Sequence, residues 1–290
     1  MAFIKYNVDY MNNINNINND NQMVVLMSVY KNDNPEHLRL SIDSILNQTY
    51  QDFTLLIGVD GVIGDELAET LHSYDGNPKV NTFWFSENRG LTAVLNNLLE
   101  EGKKMLPMFY ARMDADDISH TDRFEKQVRY LNENPELDVI GGAIEEMEYD
   151  GSLNGKVINY PISHQECFNF FAIRNPLAHP TVMFRMSFFD KVASYNASYK
   201  KNQDTELWYR AFKAGCKFGN LADVVLTFRV SKDMYKRRGG TKFAKEVLKL
   251  RNEINKGLGY GLKATLFGYA YYMMAISPGW VKKFAYRVFR

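Results

Sequence analysis

The stretch FYARMDADDISH, Phe109 to His120, decides the fold. An apolar run, LPMFYARM, ends there in three carboxylates within four positions: Asp114, Asp116 and Asp117. Two carboxylates about 4 Å apart repel by roughly 1 kcal/mol in water and about 4 kcal/mol near a protein surface. A chain that sets this repulsion at the end of a buried strand implies a use for it.

Working outward, the same arrangement recurs upstream. MVVLMSVY (Met23 to Tyr30) is a continuous apolar run with the length and valine content of a buried parallel strand. NPEHLRLSIDSILNQ follows, with Leu38, Ile42, Ile45 and Leu46 at helical spacing. FTLLIGVDG reads as a second strand ending at Asp60-Gly61, DELAETLHSY as a helix and VNTFWFS as a third strand. NRGLTAVLNNLLEEG reads as a helix opened by Asn88 and closed by Gly102, and MLPMFYARM as the fourth strand. Strand and helix in alternation predict an α/β fold, a doubly wound, mostly parallel sheet. Ligands of such sheets bind outside the carboxyl ends of the strands, where Tyr30, Asp60, Asn88 and Asp114 all fall. Neither G-x-G-x-x-G nor a Walker loop follows the first strand, which argues against a dinucleotide or P-loop site.

Downstream the pattern is more mixed. HTDRFEKQVRYLNENP is an amphipathic helix, LDVIGGAIEEMEYDG a strand running to a turn, and PTVMFR a short strand. DTELWYRAFKAG is a helix closed by Gly215, and DVVLTFRV another strand. Nothing divides the chain before about residue 240. The expected organisation is a flexible Asn-rich lead-in at 1–22, one domain at 23–240 and a helical segment at 241–290.

Composition bounds the function. The formal net charge of +1 argues against a nucleic-acid binder whose affinity comes from neutralising phosphates. Cys167 and Cys216 have neither metal-ligand spacing nor a disulfide framework, which fits a reducing, cytoplasmic setting. The N-terminus lacks the apolar core and cleavage site of a secretory signal, and no stretch reaches 18 strictly apolar residues.

Clustered carboxylates at a strand end become favourable when a hard divalent cation binds between them, and Mg²⁺ or Mn²⁺ leaves positions for substrate phosphates. Helix capping by Asp117 or Thr121 is the other reading of the same residues; the positions of an EF-hand are absent.

In order along the chain stand VLMSVYKND, SIDSILNQT, VDG, NRGLTAVLN, ARMDADD, RNPLAHPTVMFR, QDTELWYR and FRVSKDMYKRRGG. From about Val24 to Gly240 this set resembles the family 2 glycosyltransferases of GT-A fold, especially bacterial enzymes of surface-polysaccharide assembly. The resemblance implies an inverting, metal-dependent sugar transfer from a nucleotide-sugar to an acceptor saccharide, one linked to a polyprenyl diphosphate. Asp114 and Asp116 match the D-x-D motif that holds Mn²⁺ or Mg²⁺ on the donor diphosphate; Asp117 then assists or caps the next helix, and the cap is the favoured role. Asp60 matches a position that contacts the base, and a carboxylate accepting from uracil N3–H implies UDP. The family often has a second Asp in that turn, whereas Gly58-Val59-Asp60-Gly61 has one, and a plain turn Asp is the alternative. Ser28, Val29 and Tyr30 match the loop lining the nucleotide pocket. Arg89 faces the phosphates or merely starts a solvated helix.

Inversion needs one general base for the acceptor hydroxyl. Asp204 matches the family's catalytic carboxylate, although Gln203 stands where the family often has Glu. A helix N-cap is its structural alternative. His179 is read as a cation ligand, a diphosphate contact or a loop-ordering residue, with a satisfied structural histidine equally open. Lys236, Arg237 and Arg238 precede Gly239-Gly240 and fit a mobile loop closing over a diphosphate, or a solvated basic loop.

The C-terminal WVKKFAYRVFR places Val281, Phe284, Ala285, Val288 and Phe289 on one helical face and its four cations off it. This predicts docking on an anionic membrane surface, on its cytoplasmic side, or packing on protein. A nucleotidyltransferase is the competing enzyme reading, but SVYKNDNPEH lacks the Gly-rich basic loop it needs. A non-catalytic glycan-binding protein is the other; Asp60, Asp114, Asp116 and Asp204 standing together argue against it.

Overall fold

The structure, a computed structural model, describes residues 22–230 and 240–277. β1 (Met23–Tyr30), β2 (Phe53–Asp60), β3 (Val80–Phe85) and β4 (Phe109–Asp114) form a parallel block in the spatial order β3-β2-β1-β4. The crossovers are α1 (Pro35–Leu46), α2 (Asp65–His72) and α3 (Leu91–Lys103).

β1 lies at the centre of this block, and its alternate residues feed two cores. Met23, Val25, Met27 and Val29 pack with Leu38, Ile42 and Ile45 of α1. Val24 and Leu26 face the other way, onto Val94, Leu95 and Leu98 of α3. Burial on both faces explains the unbroken apolar run, each such side chain being worth about 1.5–3 kcal/mol. Gly58 lets α3 come close, since a Cβ there would stand 2.3 Å from Val94 Cγ1. The register sets Ser28 level with both Gly58 and Asp114, and Tyr30 level with Asp60, so the polar strand ends share one edge.

Beyond β4 the sheet becomes mixed. β5 (Ile118–Ser119), α4 (Arg123–Glu133), β6 (Val139–Met147), β7 (Leu153–Ile158) and α5 (His164–Phe171) follow in the chain. Then come β8 (Met183–Arg185), α6 (Met186–Val192), α7 (Gln203–Lys213) and β9 (Phe218–Arg229). β8 runs antiparallel to β4 and β6, while β6 and β9 pair in parallel. α8 (Thr241–Leu258) and α9 (Leu262–Ile276) pack together at the C-terminal side.

Three local expectations are corrected. Asn88 does not open α3: its side chain donates to the Asp60 carbonyl, and the helix starts after Gly90, whose φ of 86° suits glycine. Gly102 lies inside that helix and not beyond it, pressed against Tyr110. PTVMFR is only half strand. His179–Thr181 form a 3₁₀ turn around Pro180, which has no N–H for a ladder.

Candidate active site

Asp114, Asp116 and Asp117 converge at the end of β4, one oxygen of each lying within 4.8 Å of the others. Asp114 accepts from the buried guanidinium of Arg112, and its carbonyl accepts from Ser41 Oγ at 2.8 Å. Burial and the neighbouring Asp114 push the Asp116 carboxyl up to about 6. Burial, then Asp116 and Asp114, raise Asp117 well above the ordinary carboxylate range.

Asp117 does not cap the following helix. It is fully buried, its Oδ1 accepts from the Arg229 amide at 2.9 Å, and its Oδ2 has no protein partner. Thr121 is not the cap either; Asp122 stands at that position. Three crowded oxygen donors, one orphaned and two with raised proton affinity, fit a hard divalent cation. Asp114, Asp116 and Asp117 would hold it.

Three buried arginines back the carboxylates, and they were missed in reading the sequence. Arg112 contacts Asp114; Arg229 Nε donates to the Asp116 carbonyl at 2.9 Å; Arg123 Nη2 donates to the Arg112 carbonyl at 2.9 Å. All three are at most 3% exposed. A charged residue inside the apolar run FYARM was the available signal, because buried charge is retained only where it is paired.

At the other end of the edge, Asp60 is buried. Its Oδ1 accepts from the Arg89 amide at 2.7 Å and its Oδ2 from the Gly90 amide at 2.9 Å. The carboxylate thus serves the turn, and a base contact has to use the lone pairs these amides leave. Arg89 is exposed, with its guanidinium 4.7 Å above the Phe85 ring. Val29 is buried, Ser28 and Tyr30 are partly exposed at the strand end, and the Tyr30 amide donates to Asp33.

Asp204 is the second residue of α7, not its cap. Asn202 holds the cap position with φ 57°. Asn175 Nδ2 donates to Asp204 Oδ2 at 2.8 Å, the Thr205 amide donates to Oδ1 at 2.8 Å, and Thr205 Oγ1 donates to Asn175 Oδ1 at 2.9 Å. The carboxylate is therefore fixed in orientation by a residue 29 positions away.

Tyr195 connects the two carboxylate centres. Burial raises its hydroxyl, Arg112 opposes this, and Asp204 and Asp114 both add to it, so both carboxylates act on one buried ring. The Tyr195 hydroxyl lies 2.8 Å from His179 Nε2. His179 is itself buried, and burial together with Arg112 holds its imidazole well below the usual range. It is not in the group of clustered ligand atoms. The cation-ligand reading of His179 gives way to that of a satisfied, neutral histidine. Lys236, Arg237 and Arg238 lie outside the described residues.

The acidic cluster stands at the carboxyl edge of the parallel block of an α/β fold, and a second carboxylate, Asp204, is held in one orientation on α7. Residues 24–193 match the family described as glycosyl transferase family 2, and the chain belongs to that family. It is a glycosyltransferase. The UDP-Gal:alpha-D-GlcNAc-diphosphoundecaprenol beta-1,3-galactosyltransferase of Escherichia coli is 30% identical over 220 residues, 76% of this chain and 78% of its own. The amylovoran biosynthesis glycosyltransferase AmsE of Erwinia amylovora is 31% identical over 229 residues, 78% of this chain and 83% of its own. A mannosyltransferase from Pyrobaculum calidifontis, solved with GDP-Man and Mn²⁺, shares the fold. Its TM-score is 0.59 at 13% identity, over 92% of this chain and 79% of that one.

Proposed function

We propose that the protein transfers one sugar, with inversion, from a UDP-sugar to a saccharide carried on a polyprenyl diphosphate, in the assembly of a bacterial surface polysaccharide. One observation carries the reading: the Asp204 carboxylate is oriented by Asn175, and the run from Asn175 leads into β8, which pairs with the strand that ends in the acidic cluster. The activity of the Escherichia coli relative, which acts from UDP-Gal on a diphosphoundecaprenol-linked sugar, supports both donor and acceptor class.

In this mechanism Asp204 takes the proton of the acceptor hydroxyl. The hydroxyl oxygen bonds to the anomeric carbon on the face opposite the diphosphate, and the bond from that carbon to the diphosphate oxygen breaks. Ser28, Tyr30 and Asp60 line the nucleoside end, with Arg89 at its rim. Asp114, Asp116 and Asp117 would hold Mn²⁺ or Mg²⁺, which supplies countercharge for the departing diphosphate. Arg112 on Asp114, and the Arg229 amide on Asp117, hold the carboxylates in place and offset part of their mutual repulsion. Residues 23–240 form the catalytic domain, and 241–290 an appendage that places the enzyme on the inner face of the cytoplasmic membrane.

The test is a panel of nucleotide-sugars with Mn²⁺ and a synthetic lipid-diphosphate saccharide. A UDP-sugar is expected to yield product of inverted anomeric configuration. Retention of configuration, or turnover confined to sugars on other nucleotides, overturns the reading.

A further inference from the structure

α9 packs inside out. Its contacts with α8 are made through small residues: Ala264, Gly268 and Ala275 are the buried positions, and a Cβ on Gly268 would meet Arg251 and Leu248 at 3.7 Å. The large apolar side chains point away. Leu262 is 73% exposed, Leu266 60%, Tyr269 50% and Met273 62%, with Phe267 and Ile276 beside them. A helix at a water-facing surface shows the opposite pattern, apolar in and polar out. A contiguous patch of this kind marks a surface that another apolar phase covers.

Charge identifies that phase. Residues 240–290 hold ten of the chain's 35 Lys and Arg but two of its 34 Asp and Glu, a net +8 against −7 for the remainder. On the described helices Lys242, Lys245, Lys249, Lys256 and Lys263 are all exposed. Residues 278–290 add four cations and no acid. An apolar face bordered by cations, on a protein otherwise acidic, matches an anionic bilayer surface, whose headgroups pair with lysines while acyl chains take up the side chains. A second copy of the chain would instead set +8 against +8. No described helix is long and apolar enough to cross a membrane, which fits lying on the surface.

We propose that the exposed face of α9, with Leu266 and Met273 at its centre and the α8 lysines at its border, is the surface that seats the enzyme on anionic phospholipid. This deepens the proposed function, since it rests on a lipid-carried acceptor. The seat adjoins the chemistry: α8 packs against both α9 and α7, the helix that carries Asp204.

The experiment is co-sedimentation of the full chain with vesicles of phosphatidylglycerol and phosphatidylethanolamine, and with phosphatidylcholine alone. Leu266→Glu/Met273→Glu replaces two exposed side chains and should leave the circular dichroism and melting temperature unchanged. Wild type is expected to bind the anionic vesicles, release as salt rises, and bind phosphatidylcholine far less. The double variant is expected to lose binding by about a hundredfold. Wild type left in the supernatant at low salt overturns the proposal, as does a variant that binds like wild type. A dimer in light scattering that the variant converts to monomer makes the face an interface between copies, and overturns it too. Vesicle binding needs no nucleotide-sugar, so failure here is separable from failure of the catalytic reading. If binding holds but no transfer occurs, the seat stands and the proposed activity falls.

Discussion

Asp117→Asn separates a structural carboxylate from a cation ligand. The amide keeps the shape, and its oxygen still accepts from the Arg229 amide at the 2.9 Å contact. What disappears is a buried carboxyl oxygen without a partner, crowded by Asp116 and Asp114, and the NH2 that replaces it can donate to those two carboxylates. An unsatisfied buried polar atom costs about 1–3 kcal/mol. Relief of even part of that raises the metal-free melting temperature at pH 7.5, at roughly 2–4 °C per kcal/mol for a chain of this size. The cation response moves the other way. Mn²⁺ at a hundred times its dissociation constant stabilises wild type by about 2.7 kcal/mol. Changes to outer partners alone weaken metal sites about 10–100-fold, so loss of a ligand oxygen is set at about a hundredfold. At the same Mn²⁺ concentration the variant then gains only about 0.4 kcal/mol. Differential scanning fluorimetry with and without Mn²⁺, backed by titration calorimetry, reads both effects. If the variant melts lower without metal yet keeps the full Mn²⁺ shift, Asp117 is a structural pin and the three-carboxylate site is wrong.

Asp204→Asn should lower kcat by roughly a hundredfold or more while UDP binding by calorimetry stays at the wild-type value; poor UDP binding with normal saturated transfer refutes the base assignment. Asn175→Ala frees the Asp204 carboxylate to rotate, so kcat should fall about tenfold or more with donor KM unchanged. A drop in melting temperature with intact kcat makes that contact merely structural. Gly61→Ala forces a side chain into φ +83°, with its Cβ 2.6 Å from the Asn88 amide, and should cost about 1–3 kcal/mol in urea unfolding. The Asp116 carboxyl is raised from 3.8 to about 6 by burial and Asp114, so the folded state holds its proton more tightly than the unfolded one. The stability this gives is complete below about pH 4 and is lost as pH rises through about 6. Metal-free wild type should therefore lose stability across that window relative to Asp116→Asn, and a parallel pH profile for the two proteins contradicts it.

The parallel half of the fold was legible because burial on both faces makes its central strands near-continuous apolar runs: MVVLMSVY is bounded residue for residue in the structure, and FTLLIGVDG overruns its strand only by Gly61. The second half was less so. β5 is two residues long and β8 three, too short to show a period, and β7 is largely exposed. The acidic cluster was legible as spacing, but the role of Asp117 was not. Its partner, the Arg229 amide, lies 112 positions away, and no local pattern reports a contact of that range. His179 shows the same limit. NPLAHP is compatible with a ligand or with a core residue, and only the Tyr195 hydroxyl at 2.8 Å decides. Asn175 and the buried arginines were visible as residues but had no assigned partner until the strands were placed.

The run from Asn175 to Arg185 begins at the side chain that orients Asp204 and ends in the strand paired with β4. The Val182 carbonyl accepts from Arg112 at 3.0 Å, next but one to Asp114. One short length of covalent chain therefore acts as a ruler between the proposed base and the acidic cluster. Its length is set by backbone pairing and not by side chains that touch substrate. Donor and acceptor preference can then drift through the surrounding loops while the span across which a sugar is handed over stays constant. Transplanting loops from a relative should change which sugar moves, whereas inserting one residue between Asn175 and Val182 should abolish transfer of any.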